Sequence, residues 1–114
     1  MTLLHTNGRG SEVVEMKKMS PAVLRFSAEM LKTLGHPIRL QILEVLEEFD
    51  EMSVFRIQEL LSLPQPVTSQ HLNKMRVLGL LDSRREGGCV LYRLSNPQIK
   101  PLLQCLRQSR PDMD

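Results

Sequence analysis

Pro64-Gln65-Pro66-Val67-Thr68-Ser69-Gln70-His71-Leu72-Asn73-Lys74-Met75-Arg76-Val77-Leu78-Gly79 is the stretch on which the fold turns. A helix tolerates proline only in its first turn, so Leu63-Pro64-Gln65-Pro66 ends one helix and opens another. The new helix runs from about Pro66 to Leu78 and stops at Gly79. On a wheel of about 100° per residue, Thr68, Leu72 and Met75 form an inward stripe. The opposite side is centred on Gln70, Asn73 and Val77 and flanked by Ser69 and Lys74. His71 falls at the edge of the stripe, where a half-buried, hydrogen-bonded imidazole fits better than an outward one.

Upstream, Ser53 is an N-cap for a short helix whose inner face is Val54, Ile57, Leu60 and Leu61. Before it, His36–Pro37 starts a longer helix with Ile38, Ile42, Val45, Leu46 and Phe49 inward and Glu44, Glu47 and Glu48 outward. Ser20–Pro21 starts the first helix, in which Val23, Phe26, Met30 and Leu34 recur at helical spacing until Gly35. Met1–Met19 holds no sustained period and reads as a mobile arm, with room for a short helix over Glu12–Met19. Downstream, Leu80–Glu86 and Cys89–Leu94 flank the two-residue turn Gly87-Gly88, and Val90, Tyr92 and Leu94 alternate with Cys89, Leu91 and Arg93. Asn96–Pro97 starts a last helix with Ile99, Leu102, Leu103 and Leu106 on one face, before the polar end Ser109–Asp114. The expected division is an arm over 1–19, a domain over 20–109 and a polar tail over 110–114.

A short helix, a tight break, a second helix and then a hairpin is a helix-turn-helix followed by a wing. The expected fold is therefore mainly α with a β-hairpin wing, a winged helix-turn-helix of order α-α-α-α-β-β-α. At 114 residues the chain is one domain with a real core, and 41% hydrophobic residues exclude a fully disordered chain. No apolar run approaches a membrane span, and Met1–Gly10 lacks the features of a signal peptide. Two cysteines and seven methionines fit a reducing cytoplasmic interior better than a secreted disulfide scaffold. Three Phe, one Tyr and no Trp are too few for a platform that stacks single-stranded bases.

The net charge of +2 conceals a strong asymmetry. Residues 43–64 carry Arg56 against Glu44, Glu47, Glu48, Asp50, Glu51 and Glu59, a balance of −5. Residues 65–93 carry Lys74, Arg76, Arg84, Arg85 and Arg93 against Asp82 and Glu86, a balance of +3. A duplex meets one face of a protein, so this distribution matters more than the total. Gln and Asn read adenine through two hydrogen bonds, while Lys and Ser suit guanine or phosphate. The expected contacts to double-stranded DNA are Gln65, Ser69, Gln70, His71, Asn73 and Lys74 on the helix and Arg84, Arg85 and Arg93 on the wing. Taken singly, such charges read as a solvated face. Together with the polar readers and the proline-broken entry they favour a DNA surface. A winged helix that instead meets an acidic protein partner is the alternative. No nucleophile, base or paired carboxylates converge, so an enzyme is not expected.

Leu34-Gly35-His36-Pro37-Ile38-Arg39-Leu40-Gln41-Ile42-Leu43 resembles the entry to the second helix in the ArsR/SmtB family of prokaryotic winged-helix repressors. Thr68-Ser69-Gln70-His71-Leu72-Asn73-Lys74-Met75-Arg76-Val77-Leu78-Gly79-Leu80-Leu81 is similar to that family's recognition helix, and Arg84–Leu94 to its basic hairpin. The likeness covers about Ser20 to Leu106. It implies a homodimer with the first and last helices at the interface, here Val23, Phe26, Met30, Leu102, Leu103 and Leu106. It also implies a two-fold symmetric operator and repression until an inducer weakens binding. Three positions depart from the pattern. Val67-Thr68 stands where the family more often places the polar residue first, and the Thr68 hydroxyl can bond back to a carbonyl. Pro64 replaces a Ser-like cap, and Cys89 replaces an Arg or other polar wing residue.

Family members often bind soft metals through a Cys-x-Cys pair at the start of the third helix, where this chain has Ser53 and Phe55. A second recurring site uses Asp, His and Glu on the last helix, whereas Gln98–Arg107 contains none of these. Neither a metal nor another cofactor is expected. Cys89 and Cys105 are the redox candidates, although members that sense with thiols typically use a cysteine on the second helix that is missing here. The plainer reading makes Cys105 a small apolar filler beside Leu102 and Leu106, and Cys89 an incidental wing residue.

Overall fold

The computed structural model describes residues 2–6 and 13–109, with side chains from 15 to 109. The expected polar tail over 110–114 lies outside the described residues. The chain divides into two units, Met1–Lys32 and Thr33–Asp114.

In the first unit, β1 (Thr2–Thr6) pairs antiparallel with β2 (Val13–Lys17), in register from Thr2 opposite Lys17 to Thr6 opposite Val13. The short helix expected over Glu12–Met19 is thus replaced by a strand, in keeping with the β-branched pair Val13-Val14 at its start. Helix α1 (Pro21–Leu34) follows, with Pro21 in its first position. Ser20 caps it as expected, its Oγ accepting from the Val23 N–H at 3.2 Å.

The second unit begins at the end of α1. It continues through α2 (Pro37–Phe49), β3 (Glu51–Ser53), α3 (Val54–Leu61), α4 (Gln65–Val77), β4 (Leu81–Glu86), β5 (Cys89–Leu94) and α5 (Ile99–Ser109). This is the winged helix-turn-helix order with one short strand added. His36 caps α2 with its side chain, Nδ1 accepting from the Ile38 N–H at 3.2 Å. Ser53 caps α3, accepting from the Arg56 N–H at 3.1 Å. Pro64 offers no side-chain cap to α4, but its carbonyl accepts from both the backbone N–H and the Oγ1 hydroxyl of Thr68, each at 3.1 Å. The hydroxyl of the atypical Thr68 is thereby satisfied inside the core.

Every element of this unit except β3 supplies the core. Ile42, Leu43, Leu46, Ile57, Leu72, Met75, Leu80, Leu81 and Ile99 are fully buried, and Leu34, Tyr92 and Leu103 nearly so. Each such aliphatic side chain stabilises the fold by roughly 1.5–3 kcal/mol relative to exposure. The α4 stripe of Thr68, Leu72 and Met75 is buried as its spacing predicts. Two expectations need correction. Phe49 is 56% exposed, because it is the last residue of α2 and Asp50, at φ 64°, turns the chain away into β3. Leu60 is 44% exposed, because the eight residues of α3 turn mainly Ile57 inward.

The sheet has the order β3-β5-β4, all antiparallel. Glu51 lies opposite Arg93, Met52 opposite Tyr92 and Ser53 opposite Leu91. On the other side of β5, Leu81 lies opposite Leu94 and Glu86 opposite Cys89, closed by Gly87 at φ 61°. The hairpin expected from Gly87-Gly88 is therefore present, and its inner strand is also stitched to the segment between α2 and α3. Gly79, at φ 77°, reverses the chain between α4 and the wing, and its carbonyl accepts from the Ser95 hydroxyl at 2.8 Å.

Candidate nucleic-acid interface

The outward side of α4 is polar up to Val77, its last residue. Gln65, Gln70, Asn73, Lys74, Arg76 and Val77 are exposed and Ser69 is half-buried. Gln65 Nε2 donates to Ser69 Oγ at 3.0 Å, which ties the first turn together. Asn73 Oδ1 accepts from Arg76 Nη2 at 2.7 Å, which fixes the orientation of its amide. Gln70 and Lys74 enter no side-chain hydrogen bond or ion pair among the described residues, so their polar ends face water. Arg76 was not foreseen as part of this face. Its signal was its place three residues after Asn73 on the helix.

His71 is the exception on α4. It is 9% exposed, and its Nδ1 accepts from Arg39 Nε at 3.0 Å. Its expected place among the DNA contacts is corrected: the imidazole is turned inward and its acceptor nitrogen is occupied. Burial, reinforced by Arg39, His36 and Lys74, holds its pKa below the ordinary imidazole value.

The two neighbouring wing arginines divide by strand alternation. Arg84 donates to Glu51 through Nε at 2.8 Å and through Nη2 at 2.7 Å, and Nη2 also reaches Glu86 at 3.0 Å. This pairing raises the Arg84 pKa further and lowers that of Glu51. With two carboxylates around one guanidinium, Arg84 presents no free positive charge, so its expected phosphate contact is corrected to a link between β4 and β3. Arg85 lies opposite Val90 and points to the other face of the hairpin. That face carries Tyr92, and Val90 and Tyr92 line a cavity of about 380 Å³ together with Gln65 and Ser69 of α4. Arg85 is exposed and unpaired among the described residues, so it is the free cation on the side of the wing that faces α4. Arg93 is 4.0 Å from Asp82, a loose and exposed pair.

Acidic groups lie on α2, α3 and the residue between α2 and β3. Glu44 and Glu47 of α2 approach Arg107 of α5 at 3.7 and 2.6 Å, and Glu59 approaches Arg56 at 3.4 Å. Glu48 and Asp50 are exposed.

Both cysteines are exposed. Cys105 is therefore not the apolar filler expected beside Leu102 and Leu106, and Cys89 sits at the wing tip beside the cavity. Among the described residues no three His, Cys, Asp or Glu side chains gather to hold a metal ion. No helix among them is long and apolar enough to cross a membrane.

Of the residues expected at an interface between copies, Val23 and Phe26 are 47% and 49% exposed, and Met30 and Leu102 are half-buried. Leu106 is exposed. Leu103, at 3% exposed, is corrected: it is already packed within its own chain and offers almost no area to a partner.

Residues 36–83 match the family described as bacterial regulatory protein, arsR family. The chain is 39% identical over 83 residues to the transcriptional repressor PagR of Bacillus anthracis, which is 73% of this chain and 83% of that protein. The crystal structure of PagR is similar at a TM-score of 0.69 and 37% identity, covering 76% of this chain and 99% of that one. HlyU from Vibrio cholerae is similar at a TM-score of 0.70 and 32% identity, covering 78% and 96% of the two chains. The homodimeric winged helix-turn-helix DNA-binding domain Mb0332 from Mycobacterium bovis is similar at a TM-score of 0.70 and 28% identity, covering 81% and 87%.

Proposed function

Because the chain belongs to the arsR family of bacterial regulatory proteins and is a DNA-binding transcriptional regulator, we propose that it is a homodimeric repressor that reads its operator with α4 and grips the flanking backbone with the wing. The observation that carries this reading is the exposed polar side of α4, Gln70 and Lys74 without partners among the described residues and Asn73 oriented by Arg76, in one unit with a wing whose Arg85 is exposed and unpaired. Gln70 and Asn73 address base edges in the major groove, while Lys74, Arg76, Arg85 and Arg93 address phosphates. The acidic side chains of α2 and α3 repel the duplex and so bias which side docks.

Dimerisation is supported by apolar surface that each unit leaves exposed, Val23 and Phe26 on α1 and, in the other unit, Leu106 on α5. PagR is named a transcriptional repressor and Mb0332 a homodimer, which supports the same assignments for this chain. Residues 20–109 carry both functions, and operator binding places the protein in the cytoplasm. The inducer is a separate matter: both thiols are exposed and so accessible to a reagent.

The test is fluorescence anisotropy with duplexes from the promoter beside the protein's own gene, across a salt series. Sequence-selective binding that loses several log units of affinity from low to moderate salt is expected. Equal, salt-insensitive affinity for all duplexes, or no binding at low salt, would overturn the reading.

A further inference from the structure

Arg39 of α2 joins three elements of the second unit. Its Nε–H donates to Nδ1 of His71 on α4 at 3.0 Å, and its Nη1 donates to the carbonyl of Thr33 at the end of α1 at 2.9 Å. His36 stands edge-on to His71, with ring centroids 4.7 Å apart, and caps α2 through its own Nδ1. The helix that carries Gln70, Asn73 and Lys74 is therefore fastened to α2 through an imidazole that must be unprotonated at Nδ1. Its neutral form carries the hydrogen on Nε2.

We propose that Arg39 and His71 are positioning residues for DNA recognition, and that proton uptake at His71 Nδ1 unfastens α4 from α2 and weakens operator binding in mild acid. The proton comes from solvent and enters the Nδ1 lone pair. The Arg39 Nε–H then loses its acceptor, and the guanidinium faces an imidazolium. The charged and titratable groups around the ring favour this outcome. From α2 it meets His36 and Arg39, and from its own helix Lys74, while Glu59 of α3 is engaged by Arg56. On β4 the carboxylates Asp82 and Glu86 lie beside Arg93 and Arg84. The groups that act on the ring are Arg39, His36 and Lys74, and no carboxylate is among them.

The sign follows from linkage. Burial and the neighbouring cations hold the folded pKa of His71 below the ordinary imidazole value of about 6.5. The contribution of the neutral ring is complete above that value and is lost as pH falls through the lower folded one. Charge alone predicts the reverse, since acid makes the chain more positive and strengthens its hold on phosphate. Affinity that declines on acidification therefore separates a positioning imidazole from a bystander.

The proposal rests on α4 being the DNA-reading helix, and one experiment distinguishes the two. Operator affinity is measured at fixed ionic strength for the native chain, His71→Asn and Arg39→Met, with the imidazole ¹⁵N titration followed in the free protein. The native chain is expected to lose affinity progressively as pH falls below about 6.5 and through the lower folded pKa of His71, by at most about tenfold per pH unit, the limit for uptake of one proton. Asn places Oδ1 close to the site of Nδ1 and takes no proton, so His71→Asn should bind within about threefold of native at neutral pH and keep that affinity in acid. Arg39→Met should bind weakly at both pH values with an unchanged salt slope, because Arg39 touches no phosphate. Constant or rising native affinity in acid overturns the proposal, as does a His71→Asn variant that keeps the native acid loss. If that variant does not fold, the native titration decides: His71 charged at neutral pH, or titrating at or above the ordinary value, overturns it. Absence of binding at neutral pH would instead sink the functional reading on which it stands.

Discussion

Gln70 is the outward residue of α4 with the most complete freedom to bond, having a donor and an acceptor on one amide and no partner for either among the described residues. Gln70→Ala should cost about 1–3 kcal/mol on the operator and leave binding to unrelated duplex unchanged, as measured by competition titration. Arg84 and Arg85 separate a strut from a contact. Arg85→Ala should weaken all sequences alike and reduce the salt slope by about one, whereas Arg84→Ala should leave the slope unchanged. The same contrast shows what can be read from residues in order. Thr68, Leu72 and Met75 are legible because helical spacing alone places them inward. The engagement of Arg84 and of His71 is not, because their partners Glu51 and Arg39 lie 33 and 32 residues away in the chain. Helical and strand periodicity report neighbours a few residues apart. They carry no information about which distant side chain will neutralise a charge or occupy a ring nitrogen.

At the scale of elements, caps and breakers located nearly every boundary: Ser20–Pro21, His36–Pro37, Ser53 and the Pro64–Pro66 break each mark a helix that is present. The element they could not announce is β3, whose three residues are too few to show alternation and are a strand only because β5 lies alongside. Ser53 then has two duties, as the last residue of β3 and the cap of α3. Ser53→Ala should destabilise the fold by about 0.5–2 kcal/mol through the lost cap, visible as a lower urea midpoint with an unchanged slope. A fall in that slope would mean that the strand pairing had loosened as well. The ribbon of β1 and β2 is hard to read from the sequence for a related reason: Asn7-Gly8 is a turn signal, but neither Thr2–Thr6 nor Val13–Lys17 alternates apolar and polar residues throughout its length.

For the whole molecule the central question is assembly. The apolar residues that α1 leaves exposed, Val23 and Phe26, are the proposed contact with a second copy. Phe26→Asp should yield monomers in sedimentation equilibrium at concentrations where the native chain is a dimer. It should also lose operator affinity with the second half-site, while the monomer retains its circular dichroism spectrum. A variant that remains dimeric would place the contact elsewhere. Exposed apolar surface carries a second hazard, unwanted association through sheet edges, and the strand order bears on it directly. The most apolar strand, β5, is enclosed on both sides. One open edge, β3, is only three residues long, and the other, β4, is lined by exposed Asp82, Arg84, Arg85 and Glu86. A short edge and a charged edge are both poor templates for an incoming strand. The three-stranded sheet thus resists adding strands from other chains, while exposed helix surface remains available to a second copy.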